Sequence, residues 1–237
     1  MKILLIVPCY NEESNLKRVF DSIYAYNSSN GQRYDMLFIN DGSTDGTEKQ
    51  LCLYNINHVT LIQNLGIGGG VQTGYKYALY NDYDIAVQMD GDGQHDVNYV
   101  NKIIQPIVAG TADMVIGSRF LEQSSVSYRS SFLRRIGIRL ISATIKARTG
   151  RKIYDTTSGF RAVNRLLIEK FAFNYPTEYP EPVSSTYALL NGYRIEEVSV
   201  EMHERTSGTS SIRAWKNIYY MINVVLSVLL MKGCIDK

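Results

Sequence analysis

The densest concentration of chemistry in the chain is VQMDGDGQHD, residues 87–96. Asp90, Asp92, Gln94, His95 and Asp96 stand close together there, spaced by two glycines. Two carboxylates one residue apart on a sharp turn suit a hard divalent cation. Such an ion takes oxygen ligands, commonly one or two carboxylates beside substrate phosphates. Gln94 continues the spacing with a neutral oxygen. An EF-hand is excluded, because the glycine and distal glutamate of its loop are missing. The expectation is Mg²⁺ or Mn²⁺ at Asp90, Asp92 and Gln94, against the plainer alternative of a solvated Gly-Asp turn. His95 and Asp96 read as turn and cap residues.

A turn of this kind needs elements to hold it. KILLIV (residues 2–7) is a short apolar run of the sort that forms a strand buried on both faces. Similar runs recur at 36–39, 59–62, 85–89 and 114–116, with helix-length segments at about 14–27, 45–54, 70–80 and 97–109 between them. Ser14 and Asp45 stand where N-caps belong. Strand alternating with helix predicts an α/β fold with a mostly parallel sheet flanked by helices. Ligands in such sheets sit beyond the carboxyl ends of the strands. PCYNEE, NDGSTDGT, NLGIGGG and DGDGQHD follow the first four strands in turn, so one edge gathers the polar motifs and a ligand site is expected there.

After residue 120 the pattern changes. Residues 131–149 are helical in period, with Phe132, Ile136, Leu140 and Ala143 recurring at three or four and arginines between. Residues 158–163 and 194–201 read as further strands. Asn217–Met231 is uncharged and bracketed by Lys216 and Lys232. Its fifteen residues would make a helix of roughly 22 Å, short of a hydrocarbon core of about 30 Å. It is expected to lie in an interface, meet a small membrane-protein partner or mediate self-association, with Tyr219 and Tyr220 suited to a membrane border.

The net charge of +2 is local in origin. Between Glu122 and Asp155 there is no acid, yet there are eight bases: Arg129, Arg134, Arg135, Arg139, Lys146, Arg148, Arg151 and Lys152. The rest of the chain is net acidic. Bases interleaved with Ile and Leu at helical spacing suit an anionic membrane surface, the alternative being a solvated helix packed on the sheet. Nothing points to a nucleic-acid partner. Tyrosine, at 18 copies, suits half-wet surfaces such as sugar sites and interfaces, or simply reflects strand propensity. Cys9, Cys52 and Cys234 show no metal or CxxC spacing and fit a reducing compartment. MKILLIVPCYNEE reads as a buried first strand and not as a signal peptide.

NLGIGGGVQTG lacks the Lys-Ser/Thr ending of a P-loop and the dinucleotide-binding register, so its glycines are read as sites of close backbone approach or tight helix packing. In NDGSTDGT, Asp45 and Thr47 read as caps of the next helix.

In combination, VPCYNEE, INDGSTDGT, NLGIGGGVQTG, MDGDGQ, GSRF, DTTSGFRAVNR and HERTSGTSSI resemble the family-two glycosyltransferases with the GT-A fold, over residues 1–212. The set looks most like the dolichyl- or undecaprenyl-phosphate sugar transferases. The resemblance implies a domain at 1–212; its acid-free segment at 123–154 is expected to face the membrane, and the apolar segment at 213–237 to form a helix for membrane or partner contact. It implies donor-nucleotide contacts at Pro8, Tyr10, Glu12, Asp41 and Asp90, and a metal–diphosphate cluster at Asp90, Asp92 and Gln94. It also implies an acceptor-phosphate contact at Arg119, a reaction-centre segment beginning at Asp155, and Arg205 on a loop over the donor diphosphate. His203 matches no role.

The implied reaction is an inverting transfer from a nucleotide-sugar, UDP-linked by preference, to a polyprenyl phosphate at the cytoplasmic membrane face. A phosphate acceptor is already ionised near pH 7, so Asp155 is expected to orient sugar or acceptor. A hydroxyl acceptor on a glycan, the alternative, would need an aspartate base. A non-catalytic nucleotide-sugar-binding subunit of a membrane complex is the reading from another class.

Overall fold

In the computed structural model the first apolar run, β1 (Ile3–Cys9), is buried along its whole length and lies in the middle of a seven-stranded sheet. The structure describes residues 1–29, 33–121, 132–202 and 214–233, with the side chains of 132–134 and 214–219 left out of the description. The sheet contains β1, β2 (Asp35–Asn40), β3 (His58–Thr60), β4 (Ile85–Gln88), β5 (Met114–Ser118), β6 (Arg161–Asn164) and β7 (Ile195–Ser199). Their order is β3-β2-β1-β4-β6-β5-β7. β1 runs parallel to both neighbours, with Cys9 opposite Asn40 and Ile6 opposite Gln88. Only β6 runs against its neighbours. The expected mostly parallel α/β sheet is therefore present.

The chain leaves β1 to one side for β2 and β3, then returns to the other side for β4. That reversal opens a crevice beyond the carboxyl ends of β1 and β4, the usual place for a ligand in an open α/β sheet. Alternation along β1 builds two cores. Ile3, Leu5, Val7 and Cys9 face one, with residues of α1 (Glu13–Ser29) and α4 (Val100–Val108). Leu4 and Ile6 face the other, with residues of α3 (Gly66–Tyr80), α5 (Phe132–Thr149), α6 (Arg165–Phe173) and α8 (Ala214–Leu230).

Several boundaries differ from the sequence expectation. Ser14 lies inside α1, which begins at Glu13, and the amides of Asn15 and Leu16 reach the Glu12 carbonyl. α2 (Thr47–Leu53) has Gly46 at its cap position, but the Asp45 carboxylate still accepts the Thr47 amide at 2.9 Å. α3 begins at Gly66, four residues earlier than expected, so the glycine run is helical. Its glycines serve packing: Gly68 lies against the Pro176 and Thr177 carbonyls, and Gly74 against the Ile6 side chain. α6 and α7 (Pro180–Leu190) were not anticipated. α7 carries Ser184, Ser185 and Thr186, all buried, so it shows no apolar stripe at that point.

The stripe Ile136, Leu140 and Ala143 on α5 turns outward. The buried set is Ile138, Ile141 and Ile145, which pack with Val224 and Val228 of α8. Gly137 sits directly against the Met221 sulfur, and Arg148 Nη2 donates to the Met231 carbonyl at 2.6 Å, so the two helices are fastened near both ends. Arg148 also places positive charge at the carbonyl end of α8, where the helix dipole favours it.

Gly74→Ala would drive a methyl group into Ile6, a side chain with no room to retreat. Its expected cost is about 1–3 kcal/mol, read as a lower denaturant midpoint with an unchanged slope.

Candidate active site

Three strand-end loops are sewn together at the crevice. After β1, the Asn11 amide donates to Ser43 Oγ at 3.0 Å and Asn11 Oδ1 accepts the Thr44 amide at 2.8 Å. The Glu12 amide donates to Thr47 Oγ1 at 3.0 Å, and Glu13 Oε2 accepts the Gly46 amide at 3.0 Å. The loop after β2 is thus held against the start of α1. Asp41 is buried and its Oδ1 accepts the Leu65 amide at 2.7 Å, which ties in the segment after β3. Gly42 has a left-handed φ of +65°, and a Cβ there would lie 2.8 Å from the Asn64 nitrogen. Tyr10 projects outward at the rim, and Glu12 accepts the Asn15 side-chain amide at 2.6 Å.

The DGDGQHD turn crosses over the end of β1. The Gly91 amide donates to the Pro8 carbonyl at 3.2 Å, and a Cβ on Gly91 would lie 2.8 Å from that oxygen. Asp92 is buried, its Oδ1 accepts the Gln94 amide at 3.0 Å, and its carbonyl accepts Arg18 Nη2 at 3.0 Å. The Asp90 side chain is one-third exposed. Asp96 caps the 3-10 turn Val97–Tyr99 by accepting the Asn98 amide at 2.9 Å. His95 is a buried turn residue: its Nδ1 accepts the Asp90 amide at 2.9 Å and its ring stacks on Phe160 at 4.8 Å. Nδ1 being the acceptor, the proton of the neutral ring sits on Nε2, which faces Asp90 Oδ2 at 3.6 Å. Burial pushes the imidazole pKa down, outweighing the upward pull of Asp90 and Asp92.

The far wall is Asp155–Phe160. Asp155 is fully buried and grips Arg119 in a bidentate pair, Nε to Oδ2 and Nη2 to Oδ1, both at 2.8 Å. Arg119 Nη2 also donates to Thr157 Oγ1 at 3.0 Å. Glu197 on β7 accepts the amides of Tyr154 and Asp155 at 2.7 and 2.8 Å, and burial raises its carboxyl pKa despite them. Gly159 stands immediately behind Asp90: a Cβ there would lie 2.7 Å from Oδ1. Arg161 is fully buried, donating to the Ser158 and Glu181 carbonyls at 2.6 and 2.7 Å. Burial raises the Glu181 carboxyl pKa, Arg161 lowers it and the negative charge of Asp90 raises it further.

The crevice thus brings together Pro8, Asp41, Asp90, Asp92 and Gln94, with Tyr10 and Glu12 at the head of α1 and the Arg119–Asp155 pair on the opposite wall. Arg205 and His203 lie outside the described residues. The chain leading to them is anchored, since Met202 forms an antiparallel bridge with His95 beside the acidic turn. Arg18, His95, Gly159, Glu181 and Glu197 were missed by sequence reasoning as parts of this site. Gly159 had a signal, being the glycine of DTTSGF, but its partner 69 residues away did not.

A family model for glycosyl transferase family 2 matches residues 4–171. The chain belongs to that family. A polyprenol monophosphomannose synthase from Mycolicibacterium smegmatis is 28% identical over 221 residues, covering 89% of this chain and 81% of that protein. A UDP-N-acetylglucosamine–dolichyl-phosphate N-acetylglucosaminyltransferase from Methanococcus voltae is 27% identical over 243 residues, covering 93% and 94%. Among solved structures, glucosyl-3-phosphoglycerate synthase from Mycobacterium tuberculosis, in complex with Mn²⁺, UDP-glucose and phosphoglyceric acid, matches with a TM-score of 0.74. It is 17% identical, with 96% of this chain and 78% of that chain covered, so the likeness is one of fold. The chain is accordingly a glycosyltransferase of GT-A architecture.

Arg119→Ala would leave the Asp155 carboxylate buried and uncompensated, at an expected cost of about 3–5 kcal/mol in chemical denaturation. Arg119→Lys, keeping the charge without the planar fork, is expected to fall between wild type and Arg119→Ala.

Proposed function

We propose that this chain transfers a sugar, with inversion, from a nucleoside-diphosphate sugar to a polyprenyl phosphate at the cytoplasmic face of a membrane. The carrying observation is the DGDGQ turn at the end of β4, set into the crevice beside the loops after β1 and β2. Several relatives in the family are named for transfer to polyprenyl or dolichyl phosphates.

The oxygens of Asp90, Asp92 and Gln94 suit Mg²⁺ or Mn²⁺, and Asp90, one-third exposed, opens toward the crevice. Bound there, the cation would neutralise charge building on the leaving diphosphate. Asp41, Pro8, Tyr10 and Glu12 are assigned to the nucleoside. His95 and Gly159 fix the acidic turn from behind, and Arg18 holds its backbone. Asp155 is a positioning residue: it aligns Arg119, the assigned contact for the acceptor phosphate. Arg205 is assigned to the diphosphate on the basis of the family motif.

The acceptor side has its own physical support. Arg135, Arg139 and Lys146 are exposed on α5 beside Ile136 and Leu140. Ile222, Leu226, Leu229 and Leu230 are exposed on the adjoining α8. Such a basic and apolar surface suits a helix pair lying in an anionic head-group layer. Among the described residues no helix is long and apolar enough to cross a membrane. The segment 123–154 and the helix of 213–237 are assigned to this contact, with a small membrane protein or a second copy as other occupants of the α8 face. Reversing Arg135 and Arg139 to glutamate should weaken partition onto anionic vesicles by roughly 100-fold, leaving neutral vesicles unaffected, as measured by sedimentation.

Purified protein with UDP- and GDP-sugars, undecaprenyl phosphate and Mn²⁺ is expected to form a phosphoglycolipid. Asp92→Asn should lower the rate at least about 100-fold. Glu181 separates this reading from transfer to a glycan hydroxyl, which would need a carboxylate base: burial and the negative charge of Asp90 raise its carboxyl pKa and Arg161 lowers it. With a phosphate acceptor, Glu181→Gln is expected to cost less than about 10-fold. A loss of 100-fold or more, with sugar appearing on a glycan hydroxyl, would overturn the lipid-phosphate reading.

A further inference from the structure

On the far side of β2 from β1, at the sheet edge, Glu48 and Cys52 of α2 face His58 of β3. Their ligating atoms all lie within 4.8 Å of one another. Glu48 Oε1 is 3.4 Å from His58 Nε2 and 3.7 Å from Cys52 Sγ. A tetrahedral Zn²⁺, with bonds of about 2.0–2.2 Å to nitrogen and oxygen and about 2.3 Å to sulfur, sets its ligand atoms roughly 3.3–3.6 Å apart. The two separations from Glu48 Oε1 are close to the edges of such a tetrahedron, and the third, from Cys52 to His58, lies within 4.8 Å.

Each neighbour also orients its group for ligation. His58 Nδ1 lies 2.7 Å from the Ile56 carbonyl. A carbonyl only accepts, so Nδ1 holds the proton and Nε2 of the neutral ring turns its lone pair toward Glu48 and Cys52. Glu48 Oε2 accepts Asn40 Nδ2 at 2.7 Å and Thr60 Oγ1 at 2.5 Å, which leaves Oε1 facing the cluster. Cys52 stands one helical turn after Glu48 on the exposed side of α2. Soft sulfur with imidazole and one carboxylate favours Zn²⁺ over the hard cations expected at the acidic turn.

We propose that Glu48 Oε1, Cys52 Sγ and His58 Nε2 form a Zn²⁺ site separate from the active-site crevice, completed by water. On binding, the Cys52 thiol gives its proton to solvent and coordinates as thiolate. The ion closes the connection between α2 and β3. Through Asn40, whose Oδ1 accepts the Ser43 amide at 3.1 Å, it also braces the loop that carries Asp41. Its role is structural support of that loop.

The full-length protein is stripped of metal and titrated with Zn²⁺ by equilibrium dialysis and with Co²⁺ by absorption spectroscopy, in wild type, Cys52→Ser, His58→Gln and Asp92→Asn. Expected are one tight Zn²⁺ per chain and a thiolate-to-cobalt charge-transfer band in wild type and in Asp92→Asn. In Cys52→Ser the band should vanish, and in both Cys52→Ser and His58→Gln affinity should fall at least about 100-fold. Zn²⁺ should raise the thermal midpoint of wild type and leave Cys52→Ser unmoved. If thiol and imidazolium merely donate to Glu48, wild type shows no charge-transfer band, and the proposal fails. It fails equally if the band survives in Cys52→Ser, or if tight Zn²⁺ binding is lost only in Asp92→Asn.

Discussion

The buried pair between Arg119 and Asp155 is the constraint on which the crevice depends. Arg119 follows β5, while Asp155 begins the segment entering β6, and the chain between them is long. A bidentate contact in a buried setting holds the two guanidinium nitrogens and two carboxylate oxygens in one plane and one register. The segment that follows is locked by further contacts: Ser158 Oγ donates to the Gly117 carbonyl at 2.6 Å, and the Gly117 amide donates to the Phe160 carbonyl at 2.8 Å. Phe160 is thereby placed to stack on His95, and Gly159 to back Asp90. An ion pair at β5 thus fixes the acidic turn at the end of β4 without touching it.

Much of this architecture was legible in the sequence. β1 is apolar throughout and β4 is apolar up to Gln88, both buried because the two faces of the sheet are covered, and the polar motifs follow where those runs stop. The three-loop edge follows from that pattern, as does the assignment of Asp96 as a cap. What stayed hidden depends on contacts distant in sequence or on phase. α7 buries Ser184 and Ser185 in place of an apolar stripe, where both hydroxyls accept from Arg161, while the buried Thr186 hydroxyl bonds back to the Pro182 carbonyl. On α5 two apolar stripes compete, and only the position of α8 shows that Ile138, Ile141 and Ile145 face inward. His95 looked like a turn residue and is one, but its grip on the Asp90 amide cannot be read from spacing.

The two sides of β1 divide the work. Toward β2 the loops are joined by hydrogen bonds from backbone amides to hydroxyl, amide and carboxylate oxygens, those of Glu13 and Asp41 among them. Toward β4 and β6 the crevice is lined by ionised groups and their countercharges, Arg18, Arg119 and Arg161 among them.

Gly159 sets a limit on the acidic turn from behind. With the main chain of residue 159 pressed against the Asp90 carboxylate, the seat has a rear wall that no side chain can occupy and no longer acid can retreat into. Lengthening Asp90 by one methylene can only push its oxygens forward, into the crevice. Drift at the turn is therefore one-sided. A longer acid at position 90 and any side chain at position 159 make competing claims on one space, so the two positions are coupled through packing.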